Sequence, residues 1–278
     1  MNVFEVMGID ESQLNNKLYN GSEKKFGVTI DCVNYVMKFQ KRNWNNIYCE
    51  YIASNIIKIF GGNVHETYLA KFKGETVVLC KDFCIGFEAL KSFNVTESIS
   101  LDTDVNKHDY YFDEVIYLLR NLHTESVDEC IRDFKKMFLF DALLGNPDRH
   151  KGNWGLLRKS SGDYCFAPIF DNGADLFPRA VNVQINESWM KERIYTFPNS
   201  KVMFNNKRER SSYFEVLKNY ELFKDVLTLF TEDKLELALV FIDNAPIPND
   251  LKTLFKTVVY YRFHCILWQK PFVWEGTK

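Results

Sequence analysis

The sequence predicts an α+β chain of two lobes, a small strand-rich one followed by a larger helical one. Three observations predict it. Apolar alternation punctuated by turn residues dominates as far as residue 83, and helix-spaced apolar positions dominate from residue 112 onward. A single hairpin interrupts the helical half, between residues 153 and 171.

Residues 26–39 alternate or run apolar around a central Asp-Cys-Val-Asn, the pattern of two strands joined by a turn. Residues 45–60 read as a helix that is apolar nearly all round. It stops at Gly61-Gly62, where a left-handed C-terminal cap meets no side-chain clash. Two further strand-like runs, 65–72 and 75–83, are separated by a Lys-Gly turn. Helix-spaced apolar positions then recur over 112–122, 128–144, 212–230, 233–243 and 250–269. Within this half, WGLLR and YCFAPIF flank Lys-Ser-Ser-Gly-Asp, a strong hairpin turn. The change of character places one lobe over 1–84 and the other over 85–278.

The bulk composition restricts the function classes. With 46% hydrophobic and 26% charged residues among 278, the chain can bury a substantial core, which excludes disorder. A net charge of −2 lacks the positive excess of a protein that grips a nucleic-acid backbone, so no direct nucleic-acid binding is expected. Seven scattered cysteines, with no CxxC pair, fit reduced thiols in a cytosol. The N-terminal MNVFEVMGIDESQ has neither a basic leader nor an apolar stretch, and no membrane span is expected; a cytoplasmic location follows as the expectation.

The chemistry concentrates around the hairpin. A helix ending near Gly145 feeds Asn146-Pro147-Asp148-Arg149-His150-Lys151-Gly152-Asn153, and the hairpin then delivers Asp171-Asn172-Gly173. Phosphoryl transfer needs a carboxylate at the attacking hydroxyl and oxygen ligands for the metal that bridges the phosphates. Asp148 and Asn153 stand five positions apart, the spacing of the catalytic Asp and metal-binding Asn in protein kinases. Turn capping would also suit both residue types. Asp171 ends the apolar run Phe166-Ala167-Pro168-Ile169-Phe170, where a buried carboxylate needs a cation.

The small lobe offers further candidates. Asn20-Gly21-Ser22-Glu23-Lys24-Lys25 precedes the first strand of the 26–39 hairpin, and a Gly-containing turn can present backbone amides to phosphate, although no GxGxxG is present. Lys38, near the end of the next strand, could neutralise phosphate oxygens or snorkel on a surface hairpin. Glu50 could fix the Lys38 ammonium or remain solvated; periodicity leaves both open. Lys81-Asp82-Phe83 ends the last small-lobe strand, where a hinge could offer backbone groups to adenine.

LLGNPDRHKGNWGLL and FAPIFDNGADLFP, supported by YVMKF, CEYIA and VVLCKDF, resemble the HipA-like serine/threonine kinases, in particular the short HipT/CtkA-type members. The resemblance runs over nearly the whole chain and is weakest over 91–106. It implies a bilobal protein-kinase-like fold, with ATP and Mg2+ as cofactors and a serine or threonine of a protein as acceptor. On the matching positions Asp148 is the implied catalytic base, Asn153 and Asp171 the magnesium ligands, Lys38 the phosphate-binding lysine and Glu50 its partner. His150 is implied to lie beside the nucleotide, and Gly21, Ser22, Lys25, Lys81 and Phe83 complete the implied ATP-binding set. Family members autophosphorylate a serine in the Gly-rich loop, and Ser22 stands in that stretch; phosphate there would bring negative charge into the loop that must accept ATP. The implied partners are an aminoacyl-tRNA synthetase or a host protein as substrate, and an antitoxin; a secreted effector role is the alternative to a cytoplasmic toxin. Two other functions compete: a lipid or small-molecule kinase, because phosphoinositide kinases share an Asp-Arg-His-x-x-Asn loop, and a nucleotide-binding pseudokinase that acts by protein contact.

Overall fold

The structure is a computed structural model, and it describes residues 4–19, 24–84, 86–87, 89–93, 110–122, 124, 126–204, 209–218 and 220–278. Strand β1 (Met7–Ile9) and the two-residue β2 (Leu14–Asn15) precede the hairpin of β3 (Lys25–Ile30) and β4 (Val33–Phe39). Its turn residues Asp31 and Cys32 take φ of 48° and 63°, the left-handed pair whose twist matches that of the flanking strands. Helix α1 (Asn46–Ile59) follows, ending at Gly61 with φ 88°, and then β5 (Thr67–Phe72) and β6 (Glu75–Lys81).

These six strands form one sheet in the order β1-β5-β6-β4-β3-β2, with β1 parallel to β5 and the other pairs antiparallel. Period-2 alternation divides its side chains between two cores. Val28, Met37, Ala70, Val77 and Leu79 close one face, while Leu69, Val78 and Cys80 pack with α1 in the main core. Met37 belongs to the first face, so its neighbour Lys38 points at α1.

The second lobe contains β7 (Ala89–Ser92), β8 (Tyr110–Tyr111), α2 (Phe112–Asn121), α3 (Val127–Leu144), β9 (Gly155–Arg158) and β10 (Tyr164–Phe166). It continues with α4 (Glu187–Tyr195), β11 (Val202–Met203), α5 (Tyr213–Leu217), α6 (Lys224–Leu227), α7 (Glu232–Asn244) and α8 (Asn249–Arg262). The predicted hairpin is β9-β10, and β7 adds to it as a third strand. Trp154 stacks on Phe93 at a centroid distance of 4.3 Å beneath this sheet.

One predicted helix is corrected. Residues 212–230 break into α5, a 3-10 turn at Tyr220–Phe223 and α6. Phe138 explains the break, because its ring meets both Tyr213 at 5.3 Å and Phe223 at 4.9 Å. A straight helix would hold those two residues about 15 Å apart along its axis. Similarly, the helix predicted over 250–269 ends as an α-helix at Arg262 and widens into a π turn, Phe263–Leu267.

Helix α4 was not predicted: WMKERIY carries too weak an apolar stripe, burying only Met190 and Ile194. The halves are joined beyond the main chain by a parallel bridge between Val64 and Ile169; His65 N–H donates to Ile169 O at 3.0 Å and Ile169 N–H to Asn63 O at 2.8 Å. Among the described residues, no helix is long and apolar enough to cross a membrane.

Candidate active site

Lys38 stands at the centre of a buried charge cluster. From β4 its ammonium donates to Glu50 Oε2 in α1 and to Asp171 Oδ1 beyond β10, both at 2.8 Å. Glu50 is 1% exposed. A buried carboxylate needs several donors, and Glu50 also accepts from the Asn172 amide at 2.9 Å and has His65 Nε2 at 3.0 Å. Burial opposes the charge on Lys38, but Asp171 and Glu50 outweigh it and hold the ammonium above its usual pKa. Lys38 in turn holds the Asp171 carboxyl below the usual carboxylate range. Burial works against ionisation of Glu50 too, and Lys38 and His65 reverse it, leaving this carboxyl well below its ordinary value.

The loop that follows α3 carries the other half. Gly145 caps α3 with φ 72°, turning the chain toward the cleft. Asn146 Oδ1 accepts from Asp148 N–H at 2.7 Å, and Asn153 Nδ2 donates to Asp148 O at 3.0 Å, so the loop is bonded across its own width. Tyr213 Oη donates to Asn146 O at 2.7 Å and Tyr110 Oη to Arg149 O at 3.1 Å, anchoring both ends from the helical side. Asp148 itself is exposed.

Between these parts lies Arg149, 1% exposed. Its guanidinium grips Asp141 of α3 at 3.0 to 3.1 Å, Asn172 Oδ1 at 2.8 Å, Phe170 O at 2.5 Å and Asn153 O at 2.9 Å. Burial disfavours its charge; Asp141 more than restores it. Asn172 completes the link by donating to Ser54 of α1 at 3.0 Å. Asp171 takes φ 60°, and a Cβ on Gly173 would sit 3.2 Å from Glu50 Oε2, so the turn requires a small residue there.

A cavity of about 510 Å³ opens over this arrangement, with Glu50, Asp148, Asn153 and Asp171 in its wall. These are four of the sequence-predicted site residues, and Lys38 reaches two of them. The Phe83 ring lies tilted against that of Phe170, 5.7 Å between centroids, next to Asp171. Lys25 lies opposite Lys38 in the β3-β4 register. His150 Nδ1 accepts from Gly152 N–H at 3.0 Å. The Lys81 side chain goes elsewhere, pairing with Glu66 at 2.9 Å. Gly21 and Ser22 lie outside the described residues.

Sequence reasoning passed over Arg149, Asp141, Asn172, Ser54 and His65. A signal existed for two of them: Asp141 interrupts FLFDALL, an apolar helix segment in which a carboxylate demands a buried cation. Asp82, named from the sequence only as part of the hinge with Lys81 and Phe83, is buried just after β6, where its side chain accepts from Tyr19 Oη at 3.0 Å and the Cys84 amide at 2.9 Å and pairs with Lys17.

Comparison with known proteins gives a consistent set of matches. The model of the HipA-like C-terminal domain matches residues 19–222. The serine/threonine-protein kinase CtkA of Helicobacter pylori is 33% identical over 218 residues, 74% of this chain and 66% of that relative, so the match spans just under two thirds of the relative's length. The crystal structure of a Helicobacter pylori proinflammatory kinase CtkA superposes with a TM-score of 0.84 at 29% identity, covering 95% of each chain. A looser likeness, TM-score 0.42 at 16% identity, covers 95% of this chain and 58% of a HipA toxin–antitoxin chain from Shewanella oneidensis, solved with HipB and operator DNA.

Proposed function

This chain belongs to the HipA-like C-terminal domain family, and on that premise we propose that it is an ATP- and magnesium-dependent serine/threonine protein kinase. The observation that carries the proposal is the convergence of Glu50, Asp148, Asn153 and Asp171 on one cavity, with Lys38 held between two of those carboxylates.

The donor set fits magnesium. Asp171 is a carboxylate kept ionised, and Asn153 commits its Nδ2 to Asp148 O, which leaves its amide oxygen as a hard ligand. Bound there, the ion would supply charge neutralisation between the phosphates. The chain's own residues do the rest. Lys38 brings a permanent positive charge to the phosphate oxygens, oriented by Glu50. Asp148, exposed to the cavity, accepts the proton of an incoming serine or threonine hydroxyl as that oxygen attacks the terminal phosphorus. Arg149 positions the loop bearing Asp148 against the turn bearing Asp171. The 1–84 lobe carries the nucleotide cover and lysine, the 85–278 lobe the catalytic loop, and Ser22 is the candidate for autophosphorylation.

Incubating the protein with labelled ATP and magnesium, alone, with protein substrates and with lipid vesicles, tests the reading. Label on protein serine or threonine is the expected result, lost in Asp148→Asn. Label on lipid alone, or none with nucleotide still bound, would refute it.

A further inference from the structure

The cavity over Asp148 and Asp171 continues onto residues that phosphoryl transfer does not use. Lys41 and Trp44 come from the β4-α1 loop, Arg179 from the segment after Asp171, and Trp189 and Arg193 from α4. The cations here are seated on rings. Trp44 carries two of them, Arg179 Cζ at 4.2 Å and Lys41 Nζ at 4.5 Å from its centroid. Arg193 Cζ lies 4.7 Å from Trp189, 5.5 Å from Phe177 and 5.8 Å from Phe197.

This arrangement selects for one ligand chemistry. Ring faces already covered by cations are not free to stack a nucleobase, whereas a guanidinium held on a ring keeps its N–H edge for an acceptor and loses little freedom on binding. Arg193 Nε is buried with no hydrogen-bond acceptor among the described residues. Its ion partner is Glu192, 2.5 Å from Nη1, with a side chain 56% exposed and therefore weakly held. Helix α1 also begins in this wall, with Asn46 lining the cavity and no side-chain cap on Asn45, so its amino end adds positive potential. An anion that settled here would share the cavity with Asp148 while touching none of Lys38, Asn153 and Asp171, the side chains given to the nucleotide, and so fits the molecule whose hydroxyl meets Asp148.

We propose that Lys41, Arg179 and Arg193 form a subsite for an acidic side chain of the phosphoacceptor segment, so that the protein prefers serines or threonines with a carboxylate residue nearby. The proposal rests on the kinase reading for its purpose, but its binding test does not. The probes are three twelve-residue peptides with a central serine flanked by Asp and Glu, by Asn and Gln, or by phosphoserine. They are titrated into the full chain without nucleotide while following the fluorescence of Trp44 and Trp189. The acidic peptide should bind at least about tenfold tighter than its amide counterpart, a margin that shrinks with salt. The double variant Arg179→Gln, Lys41→Gln spares the more enclosed Arg193 and should reduce the preference to about twofold or less.

Equal binding of the acidic and amide peptides overturns the proposal, as does a preference undiminished in the double variant. Binding of the phosphoserine peptide alone overturns the carboxylate assignment. Repeating the assay with Mg-ATP separates the two readings: discrimination in binding with no label on either peptide sinks the kinase and leaves the subsite standing.

Discussion

Replacing Glu50 with Gln puts the buried cluster to a quantitative test. Gln keeps the shape and one acceptor oxygen but removes the charge that faces Lys38 at 2.8 Å and His65 at 3.0 Å. Breaking a buried pair costs about 3–5 kcal/mol, and since Asp171 still holds the ammonium the lower end, about 3 kcal/mol, applies. An unfolding entropy of about 2.1 cal/mol/K per residue over 278 residues makes each kcal/mol worth about 1.7 °C, so the melting temperature should fall by about 5 °C. Differential scanning fluorimetry reads this directly. The same change removes one of the two carboxylates that orient the Lys38 ammonium and lets Asp171 alone pull it off line from the phosphates, and a loss of about 100-fold in peptide phosphorylation is expected, equivalent to about 2.7 kcal/mol of transition-state stabilisation. A variant that melts within 1 °C of the parent and transfers phosphate at an unchanged rate would refute the claim that Glu50 holds Lys38 in a working position.

Asp148→Asn should lower single-turnover phosphate transfer by about 10²- to 10⁴-fold while nucleotide affinity, read by calorimetry, changes only severalfold. Because the folded-state pKa of Asp171 is depressed, its contribution to stability is complete above the ordinary carboxylate value of about 4 and disappears as pH falls through the folded value; Asp171→Asn should therefore blunt the acid limb of a melting-temperature profile. Asp175 has the opposite sign: burial raises its carboxyl well above the usual range, so the folded chain retains a proton the unfolded chain releases and stability falls as pH climbs past about 4. Asp175→Asn should flatten that decline above about pH 4 in the same assay. Gly155→Ala would place a methyl 2.2 Å from Lys91 O, and since a backbone carbonyl cannot swing aside, the β7-β9 pairing should open with a drop in melting temperature of several degrees.

The site was legible where its parts are contiguous. The five-residue spacing from Asp148 to Asn153 and the turn at Asp171 are local, and local chemistry writes itself into sequence. So does the turn at Asp31-Cys32, which needs only two residues able to take positive φ. The fate of Glu50 was not legible, because helical periodicity assigns a face and says nothing of a lysine twelve residues earlier on strand β4. Long-range pairing hid β1 as well: Met7–Ile9 is too short to announce itself, and its partner Ala70–Phe72 lies some sixty residues downstream. Arg149 was obscured by its surroundings, since NPDRHKGN reads as a polar loop although the arginine turns inward to Asp141.

That inward turn shapes how such a protein can be controlled. One guanidinium fastens the loop that carries Asp148, the chain just ahead of Asp171 and the trunk of α3, while Asn172 clasps α1 through Ser54 and Glu50. Silencing by swinging α1 outward, the habit of many signalling enzymes, would mean separating several paired charges at once. A machine soldered this firmly is switched off more readily by obstructing its entrance than by disassembling its parts.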